Sequence, residues 1–119
     1  MSKSKQKGTL AETAVVQFLK DFFPNVERRV LYGKNDKGDV AGVPSFVVEV
    51  KNQKTYKISE WMEETEQERL NAGEPFGVLI VKPNRVGVTS VGKWWGILPL
   101  DQIASIIHEL EKLRAQKTE

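Results

Sequence analysis

The chain has 119 residues, a length that suits one domain with its own core and leaves little room for a second. It has no cysteine and a single histidine, His108, which excludes disulfides, thiolate zinc sites and histidine metal clusters, so any metal must be held by oxygen. The net charge of +2 hides an asymmetry, because residues 1–57 carry 11 Lys or Arg against 6 acids and residues 58–119 carry 7 against 10.

In chain order, a basic and flexible arm is expected over residues 1–7, followed by a helix from Leu10 to Phe23 that Pro24 stops. Val26 to Tyr32 reads as a strand, Gly38 to Ala41 as a short second one, and Phe46 to Lys51 as the strongest third. Ser59 to Ala72 reads as a helix ended by Gly73, and Phe76 to Lys82 as a buried strand ended by Pro83. Val86 to Ser90 and Trp94 to Leu98 suggest a further hairpin, and a closing helix runs from Leu100 or Asp101 to Arg114 before a polar tail at 116–119. The expected order is therefore α-β-β-β-α-β-β-β-α, an α/β domain spanning 1–119 with a central sheet flanked by helices. No stretch reaches transmembrane length and no signal-peptide pattern follows the basic start, so a cytoplasmic location is expected, with no membrane and no organic cofactor as partner.

Within this frame, Asp39 and the sequence Glu49-Val50-Lys51 stand out. On a strand, Phe46, Val48 and Val50 face one way while Val47, Glu49 and Lys51 face the other, with Glu49 and Lys51 roughly 7 Å apart. Gly42-Val43-Pro44-Ser45 can turn the chain so that Asp39 folds back beside Glu49. Two carboxylates and an ammonium would then converge in the basic half of the chain, where Lys3, Lys5, Lys7, Arg28, Arg29, Lys34, Lys37, Lys54 and Lys57 are candidates for phosphate contacts. Each of these could equally be an ordinary solubilising charge.

Glu12 is the second candidate carboxylate. On a wheel of about 100° per residue it falls within about 20° of Leu19 and Phe23, in the middle of the apolar stripe. A capping box is the competing reading, because Thr9-Leu10-Ala11-Glu12 has the required spacing. A core-facing carboxylate still needs a partner, and a divalent cation is one.

Lys7-Gly8, Glu12, Asp39 and Glu49-Val50-Lys51, with the helix and apolar strand that follow, resemble the PD-(D/E)XK nuclease superfamily, and within it the archaeal-type Holliday junction resolvases and their phage relatives. The resemblance implies a restriction-endonuclease-like mixed sheet and a Mg²⁺-dependent endonuclease, usually a homodimer, that nicks branched DNA at four-way junctions. Gly38 stands where the superfamily's name has proline, Thr13 where these resolvases usually carry arginine, and no serine appears in Leu31-Tyr32-Gly33.

The chemistry accounts for the residue types. A phosphodiester repels hydroxide, and a bound Mg²⁺, or Mn²⁺ in its place, would neutralise charge and align the nucleophile. Asp39 and Glu49 would be ligands, the Val50 carbonyl a third as the family implies, and Glu12 a ligand directly or through water. Lys51 would orient or help deprotonate the attacking water. Gln53 could hold water or phosphate, or simply be solvated.

Trp61 and the Trp94-Trp95 pair are candidate dimer anchors against core packing as the competing reading for each, with one of the pair expected in the core and the other open to dimer contact or base stacking. Arg69 is expected to pair with an acid, with phosphate binding near the centre as the alternative, and the acidic run Glu60 to Glu68 is expected to form a solvated face. Three functions are compatible with these residues: a junction resolvase, a less selective nuclease on flaps, nicks or duplex, and a DNA-binding module without catalysis.

Overall fold

The computed structural model describes residues 2–29 and 36–117, so Lys34 and the Leu31 to Gly33 segment lie outside the described residues. The hydroxyl of Ser2 accepts the Lys5 N–H at 3.2 Å and caps helix α1, Lys3–Leu19. The segment expected as a basic arm is thus helical from Lys3 onward. Lys and Gln are good helix formers, so a polar start does not prevent the helix from extending past the part that packs. Thr9 lies inside α1, which removes the capping-box reading of Glu12. At the other end the helix stops at Leu19, four residues before Phe23: the Phe22 and Phe23 N–H groups both donate to the Leu19 carbonyl, and Pro24 disfavours helix in the residue before it.

Strands β1 (Glu27–Arg28), β2 (Val40–Ala41) and β3 (Phe46–Lys51) follow, then helix α2 (Ile58–Ala72), strand β4 (Phe76–Val81), a 3-10 segment at Val88–Lys93, strand β5 (Trp95–Ile97) and helix α3 (Leu100–Lys117). The sheet has the order β1-β2-β3-β4-β5 and is mixed: β3 and β4 are parallel, and the other neighbours antiparallel. A parallel pair needs a long crossover, and α2 supplies it, ending at Gly73 in the left-handed conformation at φ 68°. The fold is the α/β arrangement expected from the sequence, a mixed sheet flanked by helices.

Three elements differ in detail. Among the described residues of the expected first strand, Glu27 and Arg28 pair with β2. Val86 to Ser90 is not a strand: β5 pairs directly with β4, and the chain between them forms the 3-10 segment against α1, with Gly92 beside the Phe18 ring. Gln116 and Lys117, expected in a polar tail, extend α3.

The alternation of β3 divides the core in two. Val48 and Val50, with Val78 and Ile80 of β4, pack under Ala11, Val15 and Val16 of α1, whereas Leu79 and Val81 pack with Trp61 of α2. Full burial of Leu79 contributes about 1.5–3 kcal/mol as an upper figure. Trp94 joins the α1 core and its indole N–H donates to the Gly87 carbonyl at 3.1 Å, while Trp95 is exposed with its ring edge on Tyr56. Trp61 and Trp94 are therefore core residues and not surface anchors. Among the described residues no helix is long and apolar enough to cross a membrane.

Helix α3 buries far less. Its one buried residue is Gln102, whose side chain accepts the Gly77 N–H at 2.9 Å, while Leu100, Ile103, Ile107, Leu110 and Leu113 are all exposed. Its apolar stripe has no partner among the described residues.

Candidate metal centre

The centre forms where the β2–β3 ladder ends. Val40 pairs with Val48, the Asp39 N–H donates to the Val48 carbonyl at 2.8 Å, and one step further the Val50 N–H donates to Asp39 Oδ2 at 2.8 Å. The Asp39 carboxylate thus takes the donor a continued β2 would have used. It is pinned beside Glu49 as the hairpin reading expected.

Gly38 makes this placement possible. It has φ 95°, and a Cβ there would stand 2.8 Å from the Val48 carbonyl oxygen, so neither proline nor any other L-residue fits. A preceding Asp36 holds the turn by accepting the Gly38 N–H at 2.9 Å.

One cleft is lined by Glu12, Asp39, Glu49, Val50, Lys51 and Gln53, together with Lys7, Lys54 and Lys57 from the candidate phosphate contacts. Glu12 comes from α1 at one side and pairs with Arg28 at 3.6 Å, so Arg28 is engaged by a carboxylate. Lys3, Lys5 and Lys37 are exposed but lie outside the cleft lining, and Arg29 is half-buried with an unpaired Nε.

Helix α2 contributes what the sequence reading missed. The Lys51 ammonium lies 3.0 Å from Glu64, and Glu68 is only 1% exposed, with no hydrogen-bond partner for either carboxylate oxygen. Asp36, Glu49, Glu64 and Glu68 each bring an oxygen within 4.8 Å of the others, a cluster that could hold a metal ion. The acidic run is therefore not wholly a solvated face. The signal was present, since Glu68 lies about 20° from Trp61 on a helical wheel, the same oddity that singled out Glu12. Arg69 does pair with an acid, Glu66, as expected.

The electrostatics follow from this crowding. Burial, then the adjoining Asp39 and Glu68 carboxylates, hold the Glu49 carboxyl far above the ordinary range. Burial and then the Asp39 charge raise Glu12, against the opposing pull of Arg28 and Lys51. For Lys51, burial lowers the pKa, but the hydrogen bond to Glu64 and the charges of Glu49, Glu64 and Asp39 outweigh it and keep the ammonium protonated. Glu68 is pushed up from 4.5 to about 7 by burial and by the charges of Asp36, Glu64 and Asp39, partly offset by Glu49.

A sign follows for stability. Between pH 4.5 and about 7 the folded chain keeps a proton on Glu68 that the unfolded chain has lost. Metal-free protein should therefore lose stability as pH rises through that window, by up to about 3 kcal/mol, the reverse of a salt-bridged acid. Urea unfolding at pH 5 and pH 8 in a chelator measures it, and Glu68→Gln should reduce the difference without abolishing it, because the raised Glu49 carboxyl acts in the same direction.

No family model, curated protein or solved structure matches the chain. The donor set consists of carboxylates, which suits a hard divalent cation, and the unpaired buried oxygens of Glu68 are the kind of group such an ion satisfies.

Proposed function

We propose that this chain is a metal-dependent endonuclease of PD-(D/E)XK type that hydrolyses phosphodiesters in branched DNA, with four-way junctions as the leading substrate. The observation that carries the proposal is the convergence of Asp39, Glu49, Val50, Lys51 and Glu12 on one cleft from α1, β3 and the turn before β2. Asp39, Glu49, the Val50 carbonyl and Glu12 would hold Mg²⁺ or Mn²⁺. The ion, when bound, supplies charge neutralisation at the phosphate and a more acidic water.

The chain's own residues do the rest. Lys51, kept protonated and held by Glu64, offers its ammonium to a phosphate oxygen and to the attacking water. Lys7, Lys54 and Lys57 around the cleft attract the DNA backbone, and α1 fixes Lys7 in place. Gln53, exposed in the same cleft, can hold water or phosphate.

One observation favours the less selective nuclease as the second reading. Thr13, at the position where the resolvases usually have arginine, lines an apolar groove between α1 and the 3-10 segment and not the cleft. Incubation with Mg²⁺ and matched four-way, flap, single-stranded and duplex DNA separates the readings. Paired symmetric nicks in the junction support the first, indiscriminate cutting supports the second, and binding without cutting under any divalent ion supports a non-catalytic module.

Symmetric nicking needs two centres related by a two-fold axis, which a homodimer provides. We assign the dimer contact to the exposed stripe of α3 paired antiparallel with a second copy. Asp101 lies near its start and Arg114 and Lys117 near its end, so antiparallel pairing places opposite charges together at both ends. Ile107→Glu should convert a dimer to a monomer in analytical ultracentrifugation. An unchanged mass would remove this contact.

A further inference from the structure

We infer that Asp36, Glu64 and Glu68 form with Glu49 a second cation position, separate from the one assigned to Asp39, the Val50 carbonyl and Glu12. The inference deepens the metal-centre reading and rests on it for the role of Glu49 as a ligand shared by both positions.

Size is the first support. Two oxygens on opposite sides of one ion stand roughly 4.2 Å apart around Mg²⁺ and roughly 4.6–5.2 Å around Ca²⁺, twice their bond lengths. The four carboxylates bring oxygens within 4.8 Å of one another, the span of a single hard divalent cation's shell.

The unpaired oxygens of Glu68 are the second and independent support. Its side chain is 1% exposed and aims into the cluster, and neither oxygen has a hydrogen-bond partner. Among the described residues Lys51 pairs with Glu64 and no cation lies within ion-pair distance of Glu68. A buried carboxylate without a donor is costly to keep unless something compensates it, and a cation shared with the surrounding acids is one such compensation.

The placement also separates the two positions. Asp39 reaches Glu49 from the β2 side, where its Oδ2 is held by the Val50 N–H, whereas Glu64 and Glu68 reach it from α2 on the face of the sheet that carries Leu79 and Val81. Asp36 closes the same side, its main-chain carbonyl accepting the Asn71 side-chain N–H of α2 at 3.0 Å. The α2 position is thus built from residues that the resemblance does not include.

Mn²⁺ titration followed by electron paramagnetic resonance of the free ion tests this with the full chain, without DNA and without reference to activity. Two Mn²⁺ per chain, falling to one in Glu68→Gln and to one in Asp39→Asn, is the expected result. Glu64→Gln provides a second variant, expected to weaken the same position at least tenfold, should Glu68→Gln fold poorly. A single Mn²⁺ that Asp39→Asn loses and Glu68→Gln keeps overturns the second position while leaving the nuclease reading intact. A single Mn²⁺ that Glu68→Gln loses and Asp39→Asn keeps supports the α2 position and counts against the nuclease reading. No binding at all overturns both.

Discussion

Glu49→Gln, Asp39→Asn and Lys51→Ala should each lower the cleavage rate by at least on the order of 10²–10³-fold while leaving DNA affinity within a few-fold of the native chain. Each change removes charge where the reaction needs it and little else. In Asp39→Asn the new side-chain amide would still offer an oxygen to the Val50 N–H, the contact that holds the end of the hairpin. Glu49→Gln would remove a buried carboxyl that folding must keep protonated above its ordinary range, so the metal-free protein should become more stable at neutral pH as it becomes inactive. That opposition separates lost chemistry from lost folding. Lys51→Ala leaves Glu64 without its 3.0 Å partner but removes no buried apolar contact of the core. Single-turnover cleavage, filter binding and urea unfolding on the same preparations measure all three quantities. Normal rates in all three variants would place the reaction elsewhere.

Divalent cations should raise thermal stability strongly at neutral pH. The centre gathers Asp36, Asp39, Glu49, Glu64 and Glu68 about Lys51, and a bound ion offsets the crowding of acids that burial makes costly. Binding at a hundredfold excess over Kd contributes about 2.7 kcal/mol. In a domain of this size that is on the order of 10 °C in Tm. Calorimetry in Mg²⁺ and in chelator reads it, and Glu49→Gln should abolish most of the difference. An equal shift in that variant would show that the ion binds elsewhere.

Some of this was legible in the sequence because the physics is local. The period-2 alternation of Phe46 to Lys51 gave β3 its bounds and its two faces, and Gly73 gave α2 its end. Asp39 fell beside Glu49 because a turn of glycine and proline leaves a hairpin few other options. What escaped was decided by partners distant in the chain or by unusual local cues. The start of α1 depends on the Ser2 cap and not on the apolar period, so its first turns read as an arm. Val86 to Ser90 has strand-like residues, but β5 takes the available edge of β4 and leaves that segment to cover α1. Glu64 and Glu68 were hidden in a run of acids that includes the exposed Glu60 and Glu63, and only their angle relative to Trp61 and Thr65 distinguishes them. Asp36 carries no such signal, since its position follows from the Gly38 turn and from Asn71.

The most direct measurement is cleavage of end-labelled four-way junction DNA by the native chain and by Glu49→Gln, each with Mg²⁺ and with a chelator. A metal-dependent centre built on Glu49 predicts nicked product only for the native chain with Mg²⁺. Product in the chelator, product from Glu49→Gln at the native rate, or no product from the native chain on this or any other DNA would contradict it.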